Sequence, residues 1–188
     1  MRRIFTGCAA IFLCIILLSS GIPVFAQPSM SLSVSAESAI LIEAESKKIL
    51  FEKNAHEKRG IASTTKIMTA LVALENSTAD EMVTVSAKAA GTEGSSIYLT
   101  CGEKIPMETL LYGLMLESYN DAAVVIAEYY GSKAAGLSAD CSLHTEEESR
   151  KAVLTFAREM NEKAKKIGCE NTFFITPNGL DAELETGG

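Results

Sequence analysis

The segment Ala62-Ser63-Thr64-Thr65-Lys66-Ile67-Met68-Thr69-Ala70-Leu71-Val72-Ala73-Leu74-Glu75 decides how the rest of the chain is read. Apolar residues at 67, 68 and 70–74 leave almost no polar face, the pattern of a helix buried at the centre of a fold. At its start a serine and a lysine stand three residues apart, which puts a hydroxyl and an amine on one helical face. A helix N-terminus stabilises negative charge developing near the serine. A desolvated lysine loses enough basicity to act as a base. The same tetrad also has a plain structural reading, with Ser63 as an N-cap and Lys66 reaching solvent.

Working outward, residues 38–43 and 48–52 are two short β-prone runs around a polar turn and predict a β-hairpin. Downstream, residues 83–85 and 96–99 predict two short strands flanking a Gly-rich turn. Pro106 is placed to start a helix over residues 107–116. A second helix is expected over 121–130, closed by Gly131, followed by a loop over 132–144. Thr145 and Glu148 form a capping box. Val153, Phe156, Ala157, Met160, Ala164 and Ile167 then fall on one helical stripe, with Gly168 as the stop. An extended piece over 172–176 leads into the turn Pro177-Asn178-Gly179. The predicted class is mixed α/β with a helical middle and no internal repeat.

The chain has 188 residues, with 17 basic and 24 acidic side chains and a net charge of −7. That balance excludes a basic face for nucleic-acid phosphates. Residues 1–26 combine Arg2-Arg3, an apolar run from Ile4 to Leu18 and the small-residue site ending at Ala26. This is the layout of a secretory signal cleaved after Ala26, and it predicts an exported protein. An uncleaved anchor is the alternative, although the apolar run is near the short end for spanning a bilayer. Removing the leader's two arginines, with no acid, takes the net charge from −7 to −9 over 162 residues. Residues 27–36 read as a Ser-rich lead-in. Cys101, Cys141 and Cys169 remain, and both one disulfide and three thiols fit that count. No spacing of cysteines with the isolated His56 and His144 suggests a metal site, and no cofactor is expected.

Ser118-Tyr119-Asn120, between the two predicted helices, is a second candidate. A hydroxyl there could relay a proton and an amide could hold a substrate peptide, or both could serve as helix caps. The order of segments is more specific than either motif. Ser38-Ala-Ile-Leu-Ile-Glu-Ala, Phe51-Glu-Lys-Asn-Ala55, Ala62-Ser-Thr-Thr-Lys-Ile-Met-Thr-Ala-Leu71 and Leu110-Leu-Tyr-Gly-Leu-Met-Leu116 come first. Ser118-Tyr-Asn-Asp-Ala-Ala123, Met160-Asn-Glu-Lys-Ala164 and Pro177-Asn-Gly-Leu-Asp181 follow. From about residue 30 onward the chain resembles the serine-type D-Ala-D-Ala carboxypeptidases, the low-molecular-mass penicillin-binding proteins.

The resemblance implies a β-lactamase/transpeptidase-like fold, an antiparallel sheet backing a helical region, with residues 37–188 as the N-terminal portion of the catalytic domain. It implies Ser63 as the acylated nucleophile, Lys66 as its base, Ser118 as the proton relay and Asn120 as the amide that orients substrate. The implied reaction removes the terminal D-Ala from a peptidoglycan stem peptide through an acyl-enzyme, and β-lactams acylate the same serine. The implied setting is the cell envelope, in wall biogenesis and cell shape, with any membrane attachment carried by regions outside this chain.

The sequence departs from the family in three respects. The third motif, Lys-Thr-Gly, is absent, and Glu185-Thr186-Gly187 is only an echo of it. Without that strand, a truncated and poorly active fragment is expected. Tyr119 stands where the family usually has glycine, and a phenol there is expected to narrow or re-line the pocket mouth. Residues 132–150 form an expansion with no functional reading. A non-catalytic penicillin- or peptidoglycan-binding remnant is the rival reading. A β-lactamase ranks lower, because no clear Glu-bearing loop supports fast deacylation.

Overall fold

A computed structural model describes residues 32–76, 78 and 80–180. The predicted leader, part of the lead-in and Glu185-Thr186-Gly187 lie outside these residues. The chain divides into two compact units, up to Glu57 and from Lys58 onward.

In the first unit the hairpin forms as predicted. β1 (Ala39–Ile42) pairs antiparallel with β2 (Ile49–Lys53) in the register Ala39↔Lys53, Ile40↔Glu52 and Leu41↔Phe51, with an irregularity at Ile42. The Glu43 carboxylate closes the turn by accepting from the backbone N–H groups of Glu45 (3.0 Å) and Ser46 (2.5 Å). Hydrogen bonding from Ser46, then from Glu45, holds its pKa at about 2. Lys53 Nζ donates to the carbonyls of Val34 and Ala36, tying the lead-in to β2.

The second unit is mainly helical. A 3₁₀ turn (Ala62–Thr64) runs into α1 (Thr65–Asn76). β3 (Met82–Thr84), the short α2 (Ala87–Ala90), β4 (Lys104–Pro106), α3 (Met107–Leu116), α4 (Asn120–Ala135) and α5 (Glu146–Lys166) follow. The core gathers Met68, Val72 and Ala73 of α1 with Leu110 and Leu114 of α3, Ile126 of α4, and Phe156 and Met160 of α5. Every residue of α4 from Asn120 to Ser132 is buried, so α4 rather than α1 is the central helix. Ile67 and Leu74 of α1 are 60% and 63% exposed. Residues 67, 71 and 74 share a stripe opposite the face that α1 buries, which corrects the expectation of burial all round.

Two further readings change. Residues 96–99 do not form a strand: β3 pairs instead with β4, Val83 opposite Ile105. The backbone N–H groups of Ile97 and Leu99 are taken by the Asp121 carboxylate, and Tyr98 has φ +61°, which breaks an extended run. Gly131 does not end α4. The helix continues to Ala135 and closes at Gly136, whose φ of +69° is the left-handed cap. A Cβ on Gly131 would lie 1.9 Å from the Ala152 carbonyl oxygen, so this glycine serves close approach of α4 to α5.

The capping box at Thr145 forms in full, with Thr145 Oγ1 accepting from Glu148 N–H and the Glu148 carboxylate accepting from Thr145 N–H. Within the expansion, Cys141 sits in a 3₁₀ turn, and burial followed by the nearby Glu128 pushes its thiol up to about 11. Cys101, Cys141 and Cys169 are free thiols.

Candidate active site

The site is built where the start of α1 meets the turn between α3 and α4. Ser63 lies in the 3₁₀ turn and is exposed, while Lys66, one turn on, is only 2% exposed. Lys66 Nζ is 3.0 Å from Ser63 Oγ, 3.2 Å from Ser118 Oγ and 2.7 Å from Asn120 Oδ1. All four residues singled out in the sequence therefore converge on one amine. Burial lowers the Lys66 pKa from its ordinary value, and no carboxylate forms an ion pair with it among the described residues. Desolvation thus acts on the amine without an opposing anion, which favours its neutral form.

Asn120 is oriented from both ends. Its Nδ2 donates to the Glu93 carbonyl at 2.8 Å, which leaves Oδ1 facing Lys66 and fixes which way the amide points. Its backbone N–H donates to the Ser95 carbonyl at 2.7 Å. One Nδ2 hydrogen remains for a further acceptor.

Five residues that hold this arrangement were not among the candidate site residues read from the sequence. Asp121 is fully buried, and its carboxylate accepts from Ser96 Oγ at 2.6 Å and from the N–H groups of Ile97, Leu99 and Ala122. It anchors the 93–99 loop to the start of α4. Gly94, with φ +88°, lets that loop pass within reach of the amide: a Cβ there would be 2.5 Å from Asn120 Nδ2. Gly179, with φ +80°, packs the Pro177 turn onto the Ser63 turn, since its Cβ would meet the Ala62 carbonyl oxygen at 1.9 Å. Thr69 Oγ1 of α1 secures the same turn by donating to Pro177 O at 2.6 Å. Gly113 is the fifth, because the Tyr119 ring lies over it. A Cβ on Gly113 would be 2.9 Å from Tyr119 Cδ2. Tyr119 is half-buried against the core, so its ring is folded back onto α3, where a re-lined pocket mouth was expected. Of these five, Gly179 alone carries a specific sequence signal, the turn Pro177-Asn178-Gly179.

A hydroxyl, a buried amine, a second hydroxyl and an amide gathered this way suit acyl transfer. Compared with known proteins, residues 24–137 match the family described as D-alanyl-D-alanine carboxypeptidase. The chain belongs to that family. Among curated relatives of this D-alanyl-D-alanine carboxypeptidase family, DacF of Bacillus subtilis is 36% identical over 157 residues, which cover 81% of this chain and 36% of that protein. DacC of Escherichia coli is 37% identical over 161 residues, covering 80% and 36%. Among solved structures, the carboxypeptidase DacD of Francisella tularensis superposes with a TM-score of 0.67 at 32% identity, covering 87% of this chain and 37% of that one. A variant of a Streptomyces DD-transpeptidase gives a TM-score of 0.68 at 31% identity, covering 81% and 56%. The mixed α/β, transpeptidase-like class read from the sequence is the class of these structures. The chain spans about a third of the length of the curated relatives it matches.

Proposed function

We propose that this chain carries the acylating residues of a serine-type D-Ala-D-Ala carboxypeptidase. The supporting observation is the buried Lys66 amine within hydrogen-bond reach of both Ser63 and Ser118. In this reading neutral Lys66 takes the proton of Ser63 Oγ as that oxygen attacks the carbonyl of the penultimate D-Ala of a peptidoglycan stem peptide. The proton then passes from the Lys66 ammonium through the Ser118 hydroxyl to the nitrogen of the departing D-Ala. The C–N bond breaks, leaving an ester on Ser63 that water hydrolyses. The free Nδ2 hydrogen of Asn120 holds a carbonyl of the substrate peptide. A β-lactam enters by the same attack, its ring amide standing in for the scissile bond.

The basic start, apolar run and Ala26 boundary support export with cleavage after Ala26, and action on the cell wall outside the cytoplasmic membrane, where the enzyme would trim stem peptides and influence cell shape. Membrane attachment, in this reading, belongs to regions outside the described residues.

Labelling with a fluorescent penicillin, with Ser63→Ala as the control, tests the assignment. A covalent label on the parent that is lost in Ser63→Ala, together with D-Ala release from a D-Ala-D-Ala peptide, is expected. A label that survives Ser63→Ala refutes Ser63 as the nucleophile.

A further inference from the structure

Ser118 has φ +59°, a left-handed conformation that a residue with a side chain rarely adopts. Among the described residues its own hydroxyl has one hydrogen-bond partner, the Lys66 amine, from which it accepts. What holds the backbone in place lies on either side of it. The N–H groups of Glu117 and Tyr119 both donate to the Gly113 carbonyl, at 3.3 and 3.2 Å. Ser118 is therefore looped out between two residues fastened to one oxygen, which uses both of that oxygen's lone pairs. The Tyr119 ring repeats the attachment through its side chain. It rests on the face of α3 that Gly113 leaves bare, with Cδ2, Cε2 and Cγ at 2.9, 3.5 and 3.9 Å from where a Cβ would stand. The Tyr119 hydroxyl makes no hydrogen bond among the described residues, so the ring's hold is one of shape.

We propose that Tyr119 is a positioning residue for Ser118, acting with Gly113 as a clamp that sets the distance of the Ser118 hydroxyl from the Lys66 amine. The inference rests on the assignment of Ser63, Lys66 and Ser118 given above. It reads the tyrosine as replacing local backbone ease: where glycine would relax the turn, the ring fastens it.

Three substitutions separate this role from simple core filling. Tyr119→Phe keeps the ring and should acylate with a β-lactam within twofold of the parent rate. Tyr119→Ala should slow acylation at least tenfold while changing the initial non-covalent affinity less than twofold, since Ser118 acts in the chemical step. Gly113→Ala should slow acylation similarly by displacing the ring, yet cost less than twofold in a Tyr119→Gly background, where nothing is left to displace. Urea midpoints measured on the same proteins report folding separately. Parent-like acylation by Tyr119→Ala, or an equal cost of Gly113→Ala in both backgrounds, overturns the proposal. A parent chain that takes no label refutes the assignment of Ser63 instead. The clamp is then decided by the urea midpoints, which must be non-additive for Gly113 and Tyr119 if the ring rests on the glycine.

Discussion

Replacing Gly131 by alanine tests whether α4 and α5 are held at a distance that only glycine permits. Intrinsic helix propensity favours the change by about 0.8–1.0 kcal/mol, because glycine loses more backbone entropy than alanine in a helix. The surroundings oppose it. A Cβ on Gly131 falls 1.9 Å from the Ala152 carbonyl oxygen, 2.6 Å from its carbonyl carbon and 3.1 Å from its Cα. These are backbone atoms, so no rotamer change removes the overlap. To regain ordinary contact the helices must part by roughly 1.5 Å, which forfeits most of the dispersion attraction across the seam. Tyr130 and Phe156, with ring centroids 6.4 Å apart, separate with them. Overpacking in a core usually costs about 1–3 kcal/mol, and a rigid backbone obstacle belongs at the upper end. Set against the propensity gain, the expected net destabilisation is about 2 kcal/mol. Urea unfolding followed by circular dichroism measures it, with Gly91→Ala as the control. There a Cβ meets only ordinary contacts of 3.6 Å, at the Ala87 and Lys88 carbonyls. The control should stay within about 0.5 kcal/mol of the parent. A Gly131→Ala midpoint at or above the parent's, with unchanged slope, refutes the reasoning.

Two further outcomes follow from the site. Because burial lowers the Lys66 pKa, the unfolded chain binds more protons than the folded one between the folded value and the ordinary value of about 10.4. Lys66 therefore makes stability rise with pH through that window, and Lys66→Met should flatten the rise in urea midpoint as well as abolish penicillin labelling. An unaltered alkaline slope would show that Lys66 is not desolvated. Gly94→Ala should slow labelling about tenfold, a loss of about 1.4 kcal/mol in the acylation barrier, by driving a methyl group against the Asn120 amide. Labelling at the parent rate would mean that the 93–99 loop does not set the amide's position.

The parts of this fold that could be read in the sequence are those fixed within a few residues. The hairpin, the 107–116 helix and the Thr145 capping box each depend on neighbours in the chain, and each forms where expected. The convergence of Ser63, Lys66, Ser118 and Asn120 was legible only from the order of several motifs, since Lys66 and Asn120 are 54 residues apart. Elsewhere the deciding contact is distant. A glycine inside a helical pattern reads as a stop until Ala152 is seen against it. Residues 96–99 read as a strand until Asp121, 22 residues beyond Leu99, takes their N–H groups. Asp121 itself looked like an ordinary helix-start residue, because the loop it holds cannot be inferred from its immediate neighbours.

The three partners around Lys66 have one further consequence. An ammonium has three hydrogens, and the charged amine can give one to each of Ser63, Ser118 and Asn120. The neutral amine has two hydrogens and a lone pair, so one contact must then run the other way. Asn120 Oδ1 has no hydrogen to give, which leaves the reversal to a serine. Titrating the lysine thus changes the direction of a hydrogen bond at Ser63 or Ser118 while the heavy atoms keep their places. The same framework accommodates both states of the base, and the proton can move by a turn of a hydroxyl instead of a movement of the chain.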